Sequence, residues 1–288
     1  MAETSKQSPS RPYLSQRLAT RFPFASFSYT KSKGDLMYQH ESCIFTKLGQ
    51  FISLGEHDQQ LLRKLEKTPY RAIVNQTLWS SGDRVDQLYT IKSGWAYTCR
   101  DNLDGNRQVV DILLPGDILG LRELTFATHL SHARMLTEGV ICPFPHHRIV
   151  DIIESSTPLT IALMASLSRQ ESMLSERMLM SVHRSARSRI AHFFVETFTR
   201  LSRVRTIEMG CFYLPISQKV LGEILGLTSV HISRSLSALE RDHVLIKHRD
   251  HVEILDREKL YEEADFDGRY LSDDMNGLRE RLKQHQHC

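Results

Sequence analysis

The period of the apolar positions changes several times along the chain. The segment EHDQQLLRKLEK, Glu56 to Lys67, reads as a short amphipathic helix. From about Pro69 to Pro145 the texture becomes short β-type runs, QLYTIKS, WAYTCR and RQVVDILL, and Gly82, Gly94, Gly105 and Gly116 fall eleven or twelve residues apart between them. Regular turns at that spacing predict an all-β sandwich or barrel, most economically a small jelly roll, and Asp104-Gly105 is a hairpin signal. His146 to Ser155 reads as a short helix. From Pro158 to about Arg203 a long helical stretch carries Leu163, Leu167, Leu174, Met178 and Val182 near heptad spacing, a stripe expected to be buried on the same chain's barrel or on a copy of the same helix. Polar Ser166, Gln170 and Ser175 keep that seam imperfect, and RSARSRIAHFF, Arg184 to Phe194, is the expected bend.

The clearest pattern lies between Leu214 and Val252. Ser217 is a natural N-cap, Val220, Leu221, Ile224 and Leu225 follow at helical spacing, and Gly226 stops the helix. Thr228 caps a second helix, whose Ile232, Leu236 and Leu239 form one apolar stripe. Gly222 removes a side chain where the first helix passes close to the second, as a helix-turn-helix requires. Ser229, Val230, His231, Ser233, Arg234 and Ser237 lie away from the stripe, a face of short side chains with one guanidinium that fits a DNA major groove. Two β-prone runs around His248-Arg249-Asp250 then predict a basic wing. The candidate DNA contacts are Ser217, Gln218, Ser229, Val230, His231, Ser233, Arg234, Ser237, Lys247 and Arg249.

Composition narrows the surroundings more than the function. With 41% hydrophobic and 25% charged residues the 288-residue chain is ordinary globular material with room for two cores, and a formal charge of +3 permits nucleic acid without demanding it. No apolar run approaches the roughly twenty residues of a membrane span, so no membrane partner is expected. The five cysteines, Cys43, Cys99, Cys142, Cys211 and Cys288, include no C-x-x-C pair and suit a reducing compartment, so the location is expected to be cytoplasmic. Residues 1–41 are polar, without sustained period, and expected to be disordered; Met37 is a second candidate start. The His146-His147 pair and the terminal HQHC show no metal-ligand spacing, and no catalytic motif is present, so neither a metal nor an enzyme is expected.

The strings GDRVDQLYTIKSGWAYTCRDNLDGNRQVVDILLPGDILGL, RSARSRIAHFF and LPISQKVLGEILGLTSVHISRSLSALE, in that order, resemble the Crp/Fnr family of bacterial transcription regulators over roughly Leu48 to Asp265. The resemblance implies an α+β chain: an N-terminal cyclic-nucleotide-binding-type β jelly-roll barrel, a long dimerisation helix and a C-terminal winged helix-turn-helix. The division expected is a disordered extension at 1–41, a sensor-like barrel at 42–157, a dimerisation and linker helix at 158–203, and the DNA-binding domain with its tail at 204–288. It implies a homodimer on double-stranded palindromic DNA, dimerising through Leu163, Leu167, Leu174 and Met178, with RNA polymerase as a further partner of an activator. Val230 stands where family members commonly carry a DNA-contacting Glu, and VHISR resembles a subgroup with Val-His in place of Glu-Thr, in which a stretch ending ADFDGRYLS packs after the wing.

By the same resemblance Ser131 replaces the arginine that holds the cyclic phosphate, and Leu174 a purine-contacting threonine; Arg122 and Arg134 are the nearby cations. Neither ordinary cyclic-nucleotide binding nor the family's iron–sulfur cluster, which needs a tight N-terminal cysteine group, is expected. The alternative function is a small-molecule (nucleotide)-binding signalling module whose helix-turn-helix serves protein contacts.

Overall fold

A computed structural model describes residues 42–204, 210–272, 275, 277–278 and 280. The extension at 1–41 and the terminal HQHC lie outside them. All described residues belong to one compact unit, Leu36–Cys288.

Two short helices, α1 (Cys43–Gly49) and α2 (Glu56–Leu65), precede the barrel. Eight strands follow: β1 (Tyr70–Ala72), β2 (Thr77–Trp79), β3 (Gln87–Ser93), β4 (Ala96–Asp101), β5 (Arg107–Leu113), β6 (Ile118–Leu119), β7 (His132–Met135) and β8 (Gly139–Pro145). They form two antiparallel four-stranded sheets, ordered β1-β8-β3-β6 and β2-β7-β4-β5, a jelly-roll sandwich as the turn spacing predicts. Alternation along the strands sends Ala96, Ala133, Met135 and Ile141 inward to one apolar cluster. Gly116 has φ 89°, and a Cβ there would stand 2.6 Å from the Cys43 carbonyl oxygen. The turn before β6 is therefore pressed directly onto α1.

α3 (His147–Ser155) and the first turns of α4 (Thr157–His183) cover the barrel's end. Ser156 caps α4, its side chain accepting from the Leu159 amide, with proline in the first turn. Ile44, Leu48, Leu62, Ile149, Ile152 and Leu163 make a second core there. The expected single helix over 158–203 is instead two helices. Arg184 is extended (φ −116°, ψ 148°), and Ser185 caps α5 (Ala186–Ser202) by accepting from the Ser188 amide at 3.1 Å. A serine side chain that satisfies the orphaned amides of a new first turn converts the expected bend into a break.

The remainder is β9 (Cys211–Tyr213), α6 (Gln218–Leu225), α7 (Ser229–Arg241), β10 (Leu245–Lys247), β11 (His251–Ile254) and α8 (Arg257–Ala264). The three strands pair antiparallel in the order β10-β11-β9. Phe193, Phe194 and Phe198 of α5 share one core with Ile232, Leu236 and Leu239 of α7. The same core continues into Trp95, Tyr97, Cys99, Val109 and Ile112 on β4, β5 and the turn before them. Barrel and reader are thus packed against each other.

A chain of buried charges runs through this junction. Lys47 pairs with Asp117; Arg200 reaches Asp117 at 3.4 Å and Glu196 at 3.9 Å; Arg177 reaches Glu196 at 2.9 Å and Asp111 at 3.5 Å. Burial alone would raise the Glu196 carboxyl, but Arg177 and Arg200 outweigh it and hold the group below the usual range. Burial, reinforced by Arg200 and Arg169, drives the Lys47 amine well below its ordinary value.

Candidate nucleic-acid interface

Local rules build the reading unit. The Ser217 side chain accepts from the Val220 amide at 3.2 Å and opens α6; Gly226, at φ 60°, closes it. The Leu227 amide then donates to the Gly222 carbonyl, and the Thr228 side chain accepts from the His231 amide at 3.3 Å to open α7. A Cβ on Gly222 would stand 2.6 Å from the Leu227 carbonyl oxygen, so only glycine admits this turn. Ile232, Leu236 and Leu239 point into the core, which leaves Ser229, Val230, His231, Ser233, Arg234 and Ser237 exposed on the outer face of α7. Val230 is 52% exposed although apolar. Ser217, Gln218 and Arg249 are exposed as well.

The wing differs from expectation at one residue. Lys247 is half-buried, and its ammonium donates to the carbonyls of Leu214 at 3.2 Å and Arg249 at 3.3 Å, besides that of His248. It ties the wing turn to the segment before α6, and is committed to backbone where an outward phosphate contact was expected. The cause is strand alternation with β9 on the far side of β11, a strand too short for the sequence to announce. At the wing tip the rings of His248 and His251 stack with centroids 4.2 Å apart, each beside a carboxylate, Glu253 at 3.4 Å and Asp250 at 2.9 Å.

Reader and barrel meet at α6. Gln108 of β5 donates to the Glu223 carbonyl at 2.6 Å, Arg189 of α5 donates to the Leu225 carbonyl, and Trp95 meets Tyr213 edge to face at 6.2 Å. These contacts leave the outer face of α7 uncovered.

The expected dimerisation residues divide. Leu163 is 4% exposed and belongs to the chain's own core, which corrects its assignment to a partner contact. Leu167 and Leu174 are half-buried. Met178 is 64% exposed, and with Met164, Leu179 and Val182 gives α4 an apolar outward side.

The barrel holds a cavity of about 570 Å³, lined among others by Trp79, Arg100, Asp111, Arg122, Glu123 and Ser131. Glu123 accepts from the Ser131 hydroxyl at 2.7 Å, and its other oxygen lies 2.7 Å from His129 Nδ1; the His129 ring stacks on Trp79 at 4.1 Å. Both carboxylate oxygens are therefore already taken. Arg122 lies 3.6 Å from Asp111, and Arg134 is on the opposite face of β7, beside Tyr97 and Cys99. Leu174 lines a separate crevice with Gln108 and His192. At Ser131, where the resemblance implies that the phosphate-holding arginine is replaced, the cavity offers a hydroxyl engaged by Glu123, and the exposed Arg100 is the other guanidinium on its lining.

Cys43, Cys99, Cys142 and Cys211 are spread over α1, β4, β8 and β9. Among the described residues no group of three or more His, Cys, Asp or Glu side chains is placed to hold a metal ion. No helix among them is long and apolar enough to cross a membrane.

A cavity-bearing barrel joined through two helices to an exposed groove-sized helix and a wing defines a DNA-binding regulator with a sensor-type domain. Residues 74–156 match the family model described as "Cyclic nucleotide-binding domain" and residues 188–263 the one described as "Crp-like helix-turn-helix domain". These matches and the relatives below make the chain a DNA-binding transcription regulator of the Crp/Fnr type, a class of regulators and not of enzymes. It is 26% identical over 224 residues to the fumarate and nitrate reduction regulatory protein of Vibrio cholerae, covering 78% of this chain and 89% of that one. It is also 26% identical over 239 residues to the transcriptional activatory protein AadR of Rhodopseudomonas palustris, 83% of this chain and 97% of that one. The structure of FixK2 from Bradyrhizobium japonicum superposes with a TM-score of 0.61 at 21% identity, covering 68% of this chain and 96% of that one, and shares the fold.

Proposed function

We propose that this regulator works as a homodimer on a two-fold site in double-stranded DNA, each α7 reading one half-site in the major groove. The observation that carries the reading is the exposure of Ser229, Val230, His231, Ser233, Arg234 and Ser237 on one side of a helix whose other side is core. Arg234 supplies the bidentate donor for a guanine. Val230 offers only apolar contact, suited to a thymine methyl, in keeping with a subgroup that carries Val-His at this point of the helix. Gln218, the Ser217 hydroxyl and Arg249, all exposed, are the contacts proposed for the phosphates flanking the groove. The outward side of α4, Met164, Met178, Leu179 and Val182, is the surface a second copy covers. RNA polymerase is the further partner if the outcome is activation, and the site of action is the cytoplasm. The barrel takes neither a cyclic nucleotide nor an iron–sulfur cluster; supporting this, Glu123 is engaged by Ser131 and His129, and the cysteines lie on separate elements.

The test is selection from random duplexes with the full chain, followed by titration of the selected site and of random DNA. A two-fold site is expected, with half-sites one helical turn apart. Arg234→Ala should cost about 1–3 kcal/mol on the selected site, relax choice at one guanine and leave random DNA little changed. Cyclic AMP added to the same titration should leave binding unaltered. Equal losses of Arg234→Ala on selected and random DNA would overturn the reading.

A further inference from the structure

The chain does not stop at the wing. α8 packs along α5, Asp265 turns the backbone at φ 42°, and a 3-10 turn at Gly268–Leu271 carries it back onto α4. Leu271 is fully buried, and Met275 packs against the apolar cluster beneath the barrel. The Ser272 carbonyl accepts from Arg169 of α4 at 2.8 Å. Phe266 and Tyr270 close on the buried His192 of α5, with ring centroids 5.1 and 6.2 Å from it.

The Tyr270 hydroxyl donates to Glu196 Oε2 at 3.1 Å, while Arg177 of α4 donates to Glu196 Oε1 at 2.9 Å. Burial, with Glu196 beside it, raises the Tyr270 phenol far above its ordinary range, so it stays a donor at any working pH. Arg177 in turn holds the Val110 carbonyl of β5 at 3.2 Å. One carboxylate, 1% exposed, thus joins the reader's first helix to the long helix, to the barrel and to the chain's returning segment.

The covalent link between α4 and the reader is only the extended Arg184-Ser185 break, and each such residue leaves two soft dihedrals. A link of that kind fixes distance but not angle. The shared apolar core holds the reader on the side facing β4 and β5, and the returning segment attaches α5 to α4 from another side. We propose that the segment Phe266–Ser272 is a strap whose Tyr270–Glu196 contact sets the angle between α4 and α7, making both residues positioning residues for the half-site spacing that the dimer accepts. This rests on the two-fold reading above.

The experiment uses the full-length chain and duplexes carrying two selected half-sites, with the spacer changed one base pair at a time, beside a duplex with a single half-site. Tyr270→Phe removes one hydroxyl and Glu196→Gln one charge, and the melting temperature of each is recorded. The wild-type protein should bind best at one spacing. In both variants the penalty for a wrong spacer should shrink about tenfold, the worth of one hydrogen bond to a charged group, with single half-site affinity unchanged. Variants that keep the wild-type spacer penalty, or that lose single and paired half-sites equally, would overturn the strap. A wild-type protein with no preference for paired over single half-sites would overturn the two-fold reading, and the strap with it.

Discussion

Lys247 and Arg249 are two residues apart in one basic run, yet they do different things. Arg249 is at the turn and exposed, whereas burial lowers the Lys247 amine from 10.5 to about 8, with Asp250 pulling weakly the other way. Since the folded pKa lies below the unfolded one, the native state holds fewer protons between about pH 8 and the ordinary lysine range, and stability from this group rises with pH across that window. Over the same window the wing loses a cation. We expect the Lys247 side-chain resonance to titrate near pH 8, and Lys247→Met to remove the matching step in the pH dependence of unfolding. Ser217, Thr228, Gly222 and Gly226 were legible because capping and turn rules are local. The inward turn of Lys247 was not, because it depends on β9, a strand of three residues from outside the run.

The stripe on α4 was legible as a stripe but not as to what covers it. Leu163 and Met164 are consecutive, about 100° apart around the helix, yet one is in the core beneath the barrel and the other 62% exposed. Near-heptad spacing describes both a seam against the same chain and one against a copy, and only the packing of α1 and α3 separates them. α1 itself went unseen, since seven residues with Ile44 and Leu48 inward are too short for a period to register. Leu163→Ala should destabilise the chain by about 2–5 kcal/mol without changing its oligomeric mass. Met178→Glu should do the reverse, lowering mass in light scattering with little change in the melting of the monomer.

Barrel and reader were legible as separate patterns, β-runs with turn glycines in one and caps with a glycine turn in the other. Their contact was not legible, because Trp95, Tyr97 and Val109 look like ordinary strand residues until the outer face of β4 and β5 meets α5 and α6. A shared apolar core makes the two parts one cooperative unit. Calorimetry of the full chain should show a single transition for both, and Trp95→Ala should lower it by about 3–5 kcal/mol of stability without splitting it. Two well-separated transitions in the wild-type protein would contradict the shared core.

The chain of charges from Lys47 through Asp117, Arg200 and Glu196 to Arg177 lies inside the protein, where counterions do not reach it. Phosphate contacts made by the exposed faces are, in contrast, weakened steeply by added electrolyte. Ionic strength therefore acts as a selective handle: it releases the protein from its duplex while the internal seating of the reader stays as it was.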